Sequence, residues 1–208
     1  MNSMEEPPKT KTGTTTLGIR CKDGVILAAD RKATAFYVDS RNEKKIHQIN
    51  DRMVITTAGA VGDLQFLVRM MKAEVSLYEL VRGLMDVESA ATLLSNIMHS
   101  NRWFPYYAQL LLGGFDNEPR LYSLDPYGGV VSGEKIFVTG SGGPIALGIL
   151  QSEYKEDMTS QDGVKLALKC IRAARERDPY SGGIGIDVTV INKSGIKEFS
   201  QEEIAKIK

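Results

Sequence analysis

Cysteine and histidine are scarce in this 208-residue chain, with two of each. Cys21 and Cys170 cannot make a disulfide framework, which points to a reducing compartment. His47 and His99 fall on different predicted elements in no metal-ligand spacing, so no metal centre is expected. An excess of either charge is also missing: Lys plus Arg and Asp plus Glu count 26 each. That balance argues against a nucleic-acid footprint or a surface for anionic membranes. No apolar run approaches the ~20 residues of a membrane helix. The opening "MNSMEEPPK" carries Glu5, Glu6, Pro7 and Pro8 where a signal peptide would need an apolar core. A cytoplasmic protein is expected. There is no repeat, low-complexity block or long Gly/Ser/Pro linker, so a single domain is expected behind a short polar leader. At this length roughly 70% of the unfolded surface can be buried without staples.

What is present is a clear succession of strand and helix patterns. "TTTLGIRCKDGVILAADRKAT" reads as two strands around Asp23-Gly24, a strong hairpin signal. "KKIHQI" and "MVITTAG" form a second pair about the turn "NDR". From Gly62 the spacing of Leu64, Leu67, Val68, Met71, Val75 and Tyr78 predicts one face of a helix. A second helix is predicted from Val87 to about Ser100; "SAATLLSNIM" is apolar nearly all round, which predicts a helix sandwiched between layers. Strands return with "YAQLLLGGF", "RLYSLD" and "KIFVTG". Helices "GPIALGILQSEY" and "TSQDGVKLALKCIRAARERD" follow, the latter with a capping-box-like start at Thr159. Strands "IDVTVI" and "IKEFS" close the chain. This order predicts a layered α+β fold, with two antiparallel sheets between helical layers.

Two features imitate other chemistries. "FVTGSGGPIALG" looks like a phosphate-cradling loop, but Ile145 stands at the third glycine's place and no Gly-Lys-Ser/Thr follows. Ser141 in that loop lacks the Gly-x-Ser-x-Gly frame, because Thr139 sits two residues before it.

The stretch "GTTTLGI" points elsewhere. A threonine hydroxyl is no nucleophile at neutral pH without a base, and one solution is the chain's own N-terminal amine on the same residue. That amine's ordinary pKa is ~7.7–8.0, so roughly a tenth is neutral at pH 7, far more than for lysine at ~10.4. Thr14 can use this base only if the chain is cut after Gly13. Glycine there would let the hydroxyl approach the carbonyl before it. Asp30 ends the hairpin's second strand, and Lys45 lies in "NEKKIHQI". A lysine beside Thr14 would favour the deprotonated oxygen, and an aspartate would hold that lysine charged; the alternative is an exposed ion pair. Gly59 in "TTAGAVGD", where a strand gives way to a helix, offers a backbone N–H as oxyanion donor.

Taken together, these residues resemble the proteasome β subunits, most closely the archaeal type, of the N-terminal-nucleophile hydrolase fold. "GTTTLGI", "KDGVILAADRKAT", "KKIHQI", "TTAGAVGD", "ATLLSN", "FPYYAQLLLGG", "LYSLDPYGG", "TGSGG", "RDPYSGG" and "IDVTVI" carry the resemblance in that order, from Gly13 to about Ser200. It implies a four-layer αββα sandwich and a threonine endopeptidase that degrades unfolded polypeptides, freed by self-cleavage between Gly13 and Thr14. Residues 1–13 would be a propeptide and 14–208 the working domain. Thr14 is the implied nucleophile, Asp30 and Lys45 its charge partners, and the Gly59 N–H its oxyanion donor. Ser141, Asp178 and Ser181 would surround the Thr14 amine. Positions matching Ala33, Thr34, Glu43, His47, Thr57, Val61 and Gln65 would line the substrate pocket, where the acidic Glu43 speaks against a purely apolar specificity. The implied partners are further β subunits in two stacked seven-membered rings, α-subunit rings, and an AAA ATPase unfoldase acting through them. No cofactor, nucleic acid or membrane is implied. Against the family's pattern, the segment between Thr34 and Lys44 is one residue shorter and "SGGIGIDV" one longer. An inactive ring-filling subunit would lack Thr14, Asp30 or Lys45, and a bacterial peptidase of six-membered rings would match "RDPYSGG" less well.

Overall fold

The computed structural model describes residues 13–34 and 38–207. The expected propeptide, apart from Gly13, lies outside them. Strands β1 (Thr16–Arg20), β2 (Gly24–Asp30), β3 (Ala33–Thr34), β4 (Val38–Ser40), β5 (Ile46–Gln48) and β6 (Met53–Gly59) lead into helices α1 (Val61–Arg82) and α2 (Val87–Ser100). Strands β7 (Ala108–Phe115), β8 (Pro119–Leu124), β9 (Val130–Val131) and β10 (Ile136–Thr139) precede helices α3 (Gly143–Glu153) and α4 (Ser160–Arg177). The chain closes with β11 (Ile186–Asn192), β12 (Gly195–Glu198) and the short helix α5 (Gln201–Lys206).

Two five-stranded antiparallel sheets form, in the orders β10-β1-β2-β11-β12 and β5-β6-β7-β8-β9. Side chains alternate across a strand, and here the alternation sorts the core into three layers. On β2, Ile26 and Ala28 face the α3–α4 layer, while Val25, Leu27 and Ala29 enter the space between the sheets. On β7, Leu110 and Leu112 join the α1–α2 layer and Leu111 meets β2 from the other side. Both faces of the central strands are therefore dry, which is why "VILAA" and "LLLGG" are unbroken apolar runs without a polar alternate. Truncating Leu111 to Ala costs about 2–5 kcal/mol. The expected αββα sandwich is thus the observed one.

Local signals place the elements. The Asp23-Gly24 hairpin pairs β1 with β2, with Ile19 opposite Ile26. Thr159 caps α4 by accepting from the Asp162 N–H at 3.2 Å, and the Asp86 side chain caps α2 from Ser89 N–H at 2.7 Å. One expectation fails: α2 is not sandwiched. Val87, Ala90, Ala91, Leu94 and Met98 are buried against its sheet, while Glu88, Thr92 and Asn96 are exposed. Leu93 and Ile97 lie beside the buried Leu94 and Met98, so the apolar run hides the one-sidedness in the sequence. The short strands β3, β4 and β9 and helix α5 carry no periodic signal and were not expected.

Candidate active site

Thr14 lies two residues before β1, and β1 lies between β2 and β10. The hydroxyl of Thr14 donates to Asp30 Oδ1 at 3.2 Å. Lys45 Nζ donates to the same oxygen at 2.6 Å and to the Lys32 carbonyl at 2.6 Å. The pair is out of water, with side chains 7% and 0% exposed. Three backbone N–H groups complete the Asp30 shell: Thr15 on Oδ1 at 2.9 Å, Gly182 on Oδ2 at 2.7 Å and Lys32 on Oδ2 at 3.2 Å. A buried charge needs this many partners. Burial lowers the pKa of the Lys45 ammonium from its ordinary 10.5, against the opposing pull of Asp30.

The other side of Thr14 faces the loop that joins β10 to α3. The Thr14 N–H donates to Ser141 Oγ at 3.2 Å. Ser141 Oγ in turn reaches Asp178 Oδ2 at 2.6 Å, and Ser181 Oγ reaches the same oxygen at 2.6 Å. Asp178 is the C-cap residue of α4, so a helix end delivers its carboxyl to the site. The glycine loop approaches Thr14 closely. A Cβ on Gly140 would stand 2.3 Å from the Thr14 carbonyl oxygen, and its φ of +83° favours glycine as well. The loop that imitates a phosphate cradle is glycine-rich because it packs on the chain's own threonine.

Gly59 ends β6 with φ +140°, and a Cβ there would meet the Tyr107 carbonyl oxygen at 2.0 Å. With Thr14, Ser141, Tyr107, Gln109 and Tyr180 it borders a cleft of about 360 Å³.

A family model described as proteasome subunit matches residues 10–191. This chain belongs to the proteasome subunit family. Among its relatives, "Proteasome subunit beta" of Archaeoglobus profundus is 50% identical over 202 residues, covering 96% of this chain and 94% of the relative. "Proteasome subunit beta" of Methanocaldococcus vulcanius is 46% identical, covering 95% of this chain and 90% of its own. "Proteasome subunit beta 1" of Pyrococcus furiosus is 47% identical, covering 90% and 96%. The resemblance to proteasome β subunits therefore holds over nearly the whole chain, and with it the assignment to a protease.

The seven residues expected at the catalytic centre of this proteasome subunit, Thr14 included, are placed as follows. The Thr14 and Lys45 side chains meet on one oxygen of Asp30, Ser141 sits at the Thr14 nitrogen with Asp178 behind it, and Gly59 borders the same cleft as Thr14. Ser181 touches Asp178 and the Thr15 hydroxyl (2.6 Å). Of the expected pocket residues, Ala33 and Thr34 form β3, and Thr34 bridges to Gly13. The Glu43 N–H donates to the Arg31 carbonyl at 2.9 Å. His47 faces the Thr57 hydroxyl across β5 and β6 at 3.5 Å, and Thr57 Oγ1 donates to the Lys45 carbonyl at 3.3 Å. Burial, then Lys72 and Lys44, push the His47 pKa below its ordinary 6.5. Val61 and Gln65 are exposed in the first turns of α1. None of these seven borders the cleft beside Tyr180, among the described residues. No cluster of three metal-ligating side chains occurs among the described residues, and no helix there is long and apolar enough to cross a membrane.

Several participants were not anticipated. The Thr15 N–H and hydroxyl tie Asp30 to Ser181, and the Thr16 hydroxyl meets Thr139 at 2.6 Å and Thr56 at 3.0 Å. The three threonines thus have three jobs, and the triplet itself was the signal. Lys32 and Gly182 act through backbone groups, which leave no mark on residue type.

Proposed function

We propose that this proteasome subunit is a threonine endopeptidase whose nucleophile is Thr14, freed by self-cleavage of the Gly13–Thr14 bond. The observation that carries the reading is the convergence of the Thr14 hydroxyl and the Lys45 ammonium on Asp30 Oδ1, in a place closed to water. Such a pair, fully hydrogen-bonded and beside a hydroxyl, does nothing for stability that a packed apolar pair would not do as well.

In the uncut chain the Thr14 nitrogen is an amide and cannot accept a proton. Thr14 Oγ1 loses its proton toward the Asp30–Lys45 pair and attacks the Gly13 carbonyl carbon. The C–N bond breaks, the nitrogen takes up a proton, and an ester forms on Oγ1. Water hydrolyses that ester, releasing residues 1–13 and exposing the Thr14 amine beside Ser141.

That amine then serves as base in peptide hydrolysis. It takes the hydroxyl proton as Oγ1 attacks a substrate carbonyl, while the Lys45 charge stabilises the developing oxygen anion. The Gly59 N–H binds the tetrahedral oxyanion, an interaction worth roughly 10²–10³ in rate. The amine passes its proton to the leaving amine, and water cleaves the acyl ester. Ser141, Asp178 and Ser181 orient the amine. Ala33, Thr34, Glu43, His47, Thr57, Val61 and Gln65 form the wall that receives the residue before the scissile bond. No cofactor takes part.

The same reading places residues 14–208, as one domain, in seven-membered β rings stacked in pairs between α rings in the cytoplasm. Unfolded polypeptide reaches Thr14 from an AAA ATPase. Intact-mass measurement on assembled particles tests the central step. The expected chain has 195 residues, the 208 of the full sequence less the first 13. A fully active particle that keeps Met1 overturns it, because an acylated nitrogen cannot act as the base.

A further inference from the structure

We propose that Tyr180 is the residue that dictates glycine at position 13, acting as a steric gauge on the bond to be cut. The inference rests on the self-cleavage reading above and adds what selects the residue before the cut. A Cβ on residue 13 would stand 1.7 Å from Tyr180 Cβ, 2.7 Å from its Cγ and 2.8 Å from its Cα. Carbon atoms in contact need about 3.5–4.0 Å. Rotating the tyrosine ring moves neither Cα nor Cβ, so only a backbone shift, of Tyr180 or of residue 13, could make room.

That backbone is tied on both sides to the two carboxylates of the site. Tyr180 N–H donates to Asp178 Oδ1 at 3.3 Å. Ser181 donates through its N–H to the Asp178 carbonyl at 3.2 Å and through its hydroxyl to Asp178 Oδ2 at 2.6 Å. Gly182 N–H donates to Asp30 Oδ2 at 2.7 Å. Facing it, Gly13 is held by its bridge to Thr34, and Thr14 by Ser141 and Asp30. A side chain at position 13 therefore pushes the 178–182 segment, and that segment carries Asp30 and Asp178 with it. Any residue but glycine spoils the geometry that would cut it. Peptide substrates carry no residue 13, so this gauge acts on the chain's own bond alone.

The test follows processing of the full chain by intact mass in four forms: parent, Gly13→Ala, Tyr180→Gly, and the double variant. The parent is expected to start at Thr14. Gly13→Ala is expected to be cut about 10²-fold more slowly, the cost of a ~1 Å misplacement. The double variant is expected to regain about tenfold or more of that loss, the signature of coupled residues. A parent that is never cut at Thr14 sinks the self-cleavage reading itself. A parent that is cut, with Gly13→Ala cut equally fast, sinks the gauge alone. So does a double variant no faster than Gly13→Ala while Tyr180→Gly is processed normally. Should Tyr180→Gly alone stop processing, crystal structures of Thr14→Ala precursors with Gly13 or Gly13→Ala decide. Tyr180 Cα is expected to move by about 1 Å with alanine at 13; an unmoved Tyr180 overturns the proposal.

Discussion

Lys44 and Lys45 are neighbours of the same type, each with a carboxylate, and they occupy opposite physical worlds. Lys44 Nζ meets Glu198 at 2.9 Å with both side chains about half exposed, at 53% and 48%. Lys45 meets Asp30 at 2.6 Å with exposures of 7% and 0%. Water screens the first pair, and such pairs contribute about 0–1 kcal/mol. The second pair lies where screening is weak and each charge must be compensated by neighbours. Around it stand the Lys32 carbonyl, three backbone N–H groups and the Thr14 hydroxyl. Nothing comparable surrounds Lys44 among the described residues. An ion pair is a surface ornament or a working part according to its surroundings, not its residue types.

The comparison breaks most sharply if its centre is removed. Thr14→Ala is expected to keep residues 1–13 and to hydrolyse no peptide while the fold is retained, since the hydroxyl is needed for both reactions and the core lies elsewhere. Peptidase activity equal to the parent in Thr14→Ala particles ends the proposal for this residue. Lys45→Ala comes next, with turnover expected to fall roughly 10²–10³-fold. Thr14 must be exposed independently, from a cleavable fusion, because the proposed cut uses Lys45 as well. Lys45→Arg is expected to fail almost as badly, since a planar fork does not fit the space of a compact ammonium.

A pH profile sharpens the contrast further. The proposed mechanism needs the Thr14 amine neutral and the Lys45 ammonium charged. Turnover is therefore expected to rise with pH through the amine's ordinary ~7.7–8.0. It should fall again at a pH below the 10.5 of free lysine, because burial lowers the Lys45 value. Whatever activity Lys45→Arg retains should lack that alkaline fall, and a parent profile still flat beyond 10.5 contradicts a role for the ammonium. Lys44→Ala gives the smallest effect: unchanged turnover and a stability loss of ~0–1 kcal/mol in thermal unfolding. A dead Lys44→Ala beside a healthy Lys45→Ala would invert the comparison.

Much of the site was legible because its chemistry restricts residue type. The Gly-Thr step before the first strand makes Thr14 a candidate, while Asp30 and Lys45 are charges beside apolar strands that by residue type alone read equally as an exposed ion pair. The hairpin at Asp23-Gly24, the period of α1 and the cap of α4 follow from local rules and were read as such. Helix α2 departs from its expected place between layers, because a nearly all-apolar stretch carries no period from which one buried face could be inferred. Ser141, 127 residues from Thr14, and Asp178 came only through the resemblance to a family, since no spacing rule links a loop, a helix end and a strand start.

The sequence by itself determined the succession of the long strands and helices, the dry central strands and the Gly-Thr step that makes Thr14 a candidate, all properties of residue type and short spacing. Tertiary structure alone decided which of two adjacent lysines is buried. It also decided which hydroxyl of three faces Asp30 and which glycine lies under Tyr180. Those are matters of ångström-scale approach between segments far apart in the chain, and they are settled only when the two sheets stack and close the charges off from water.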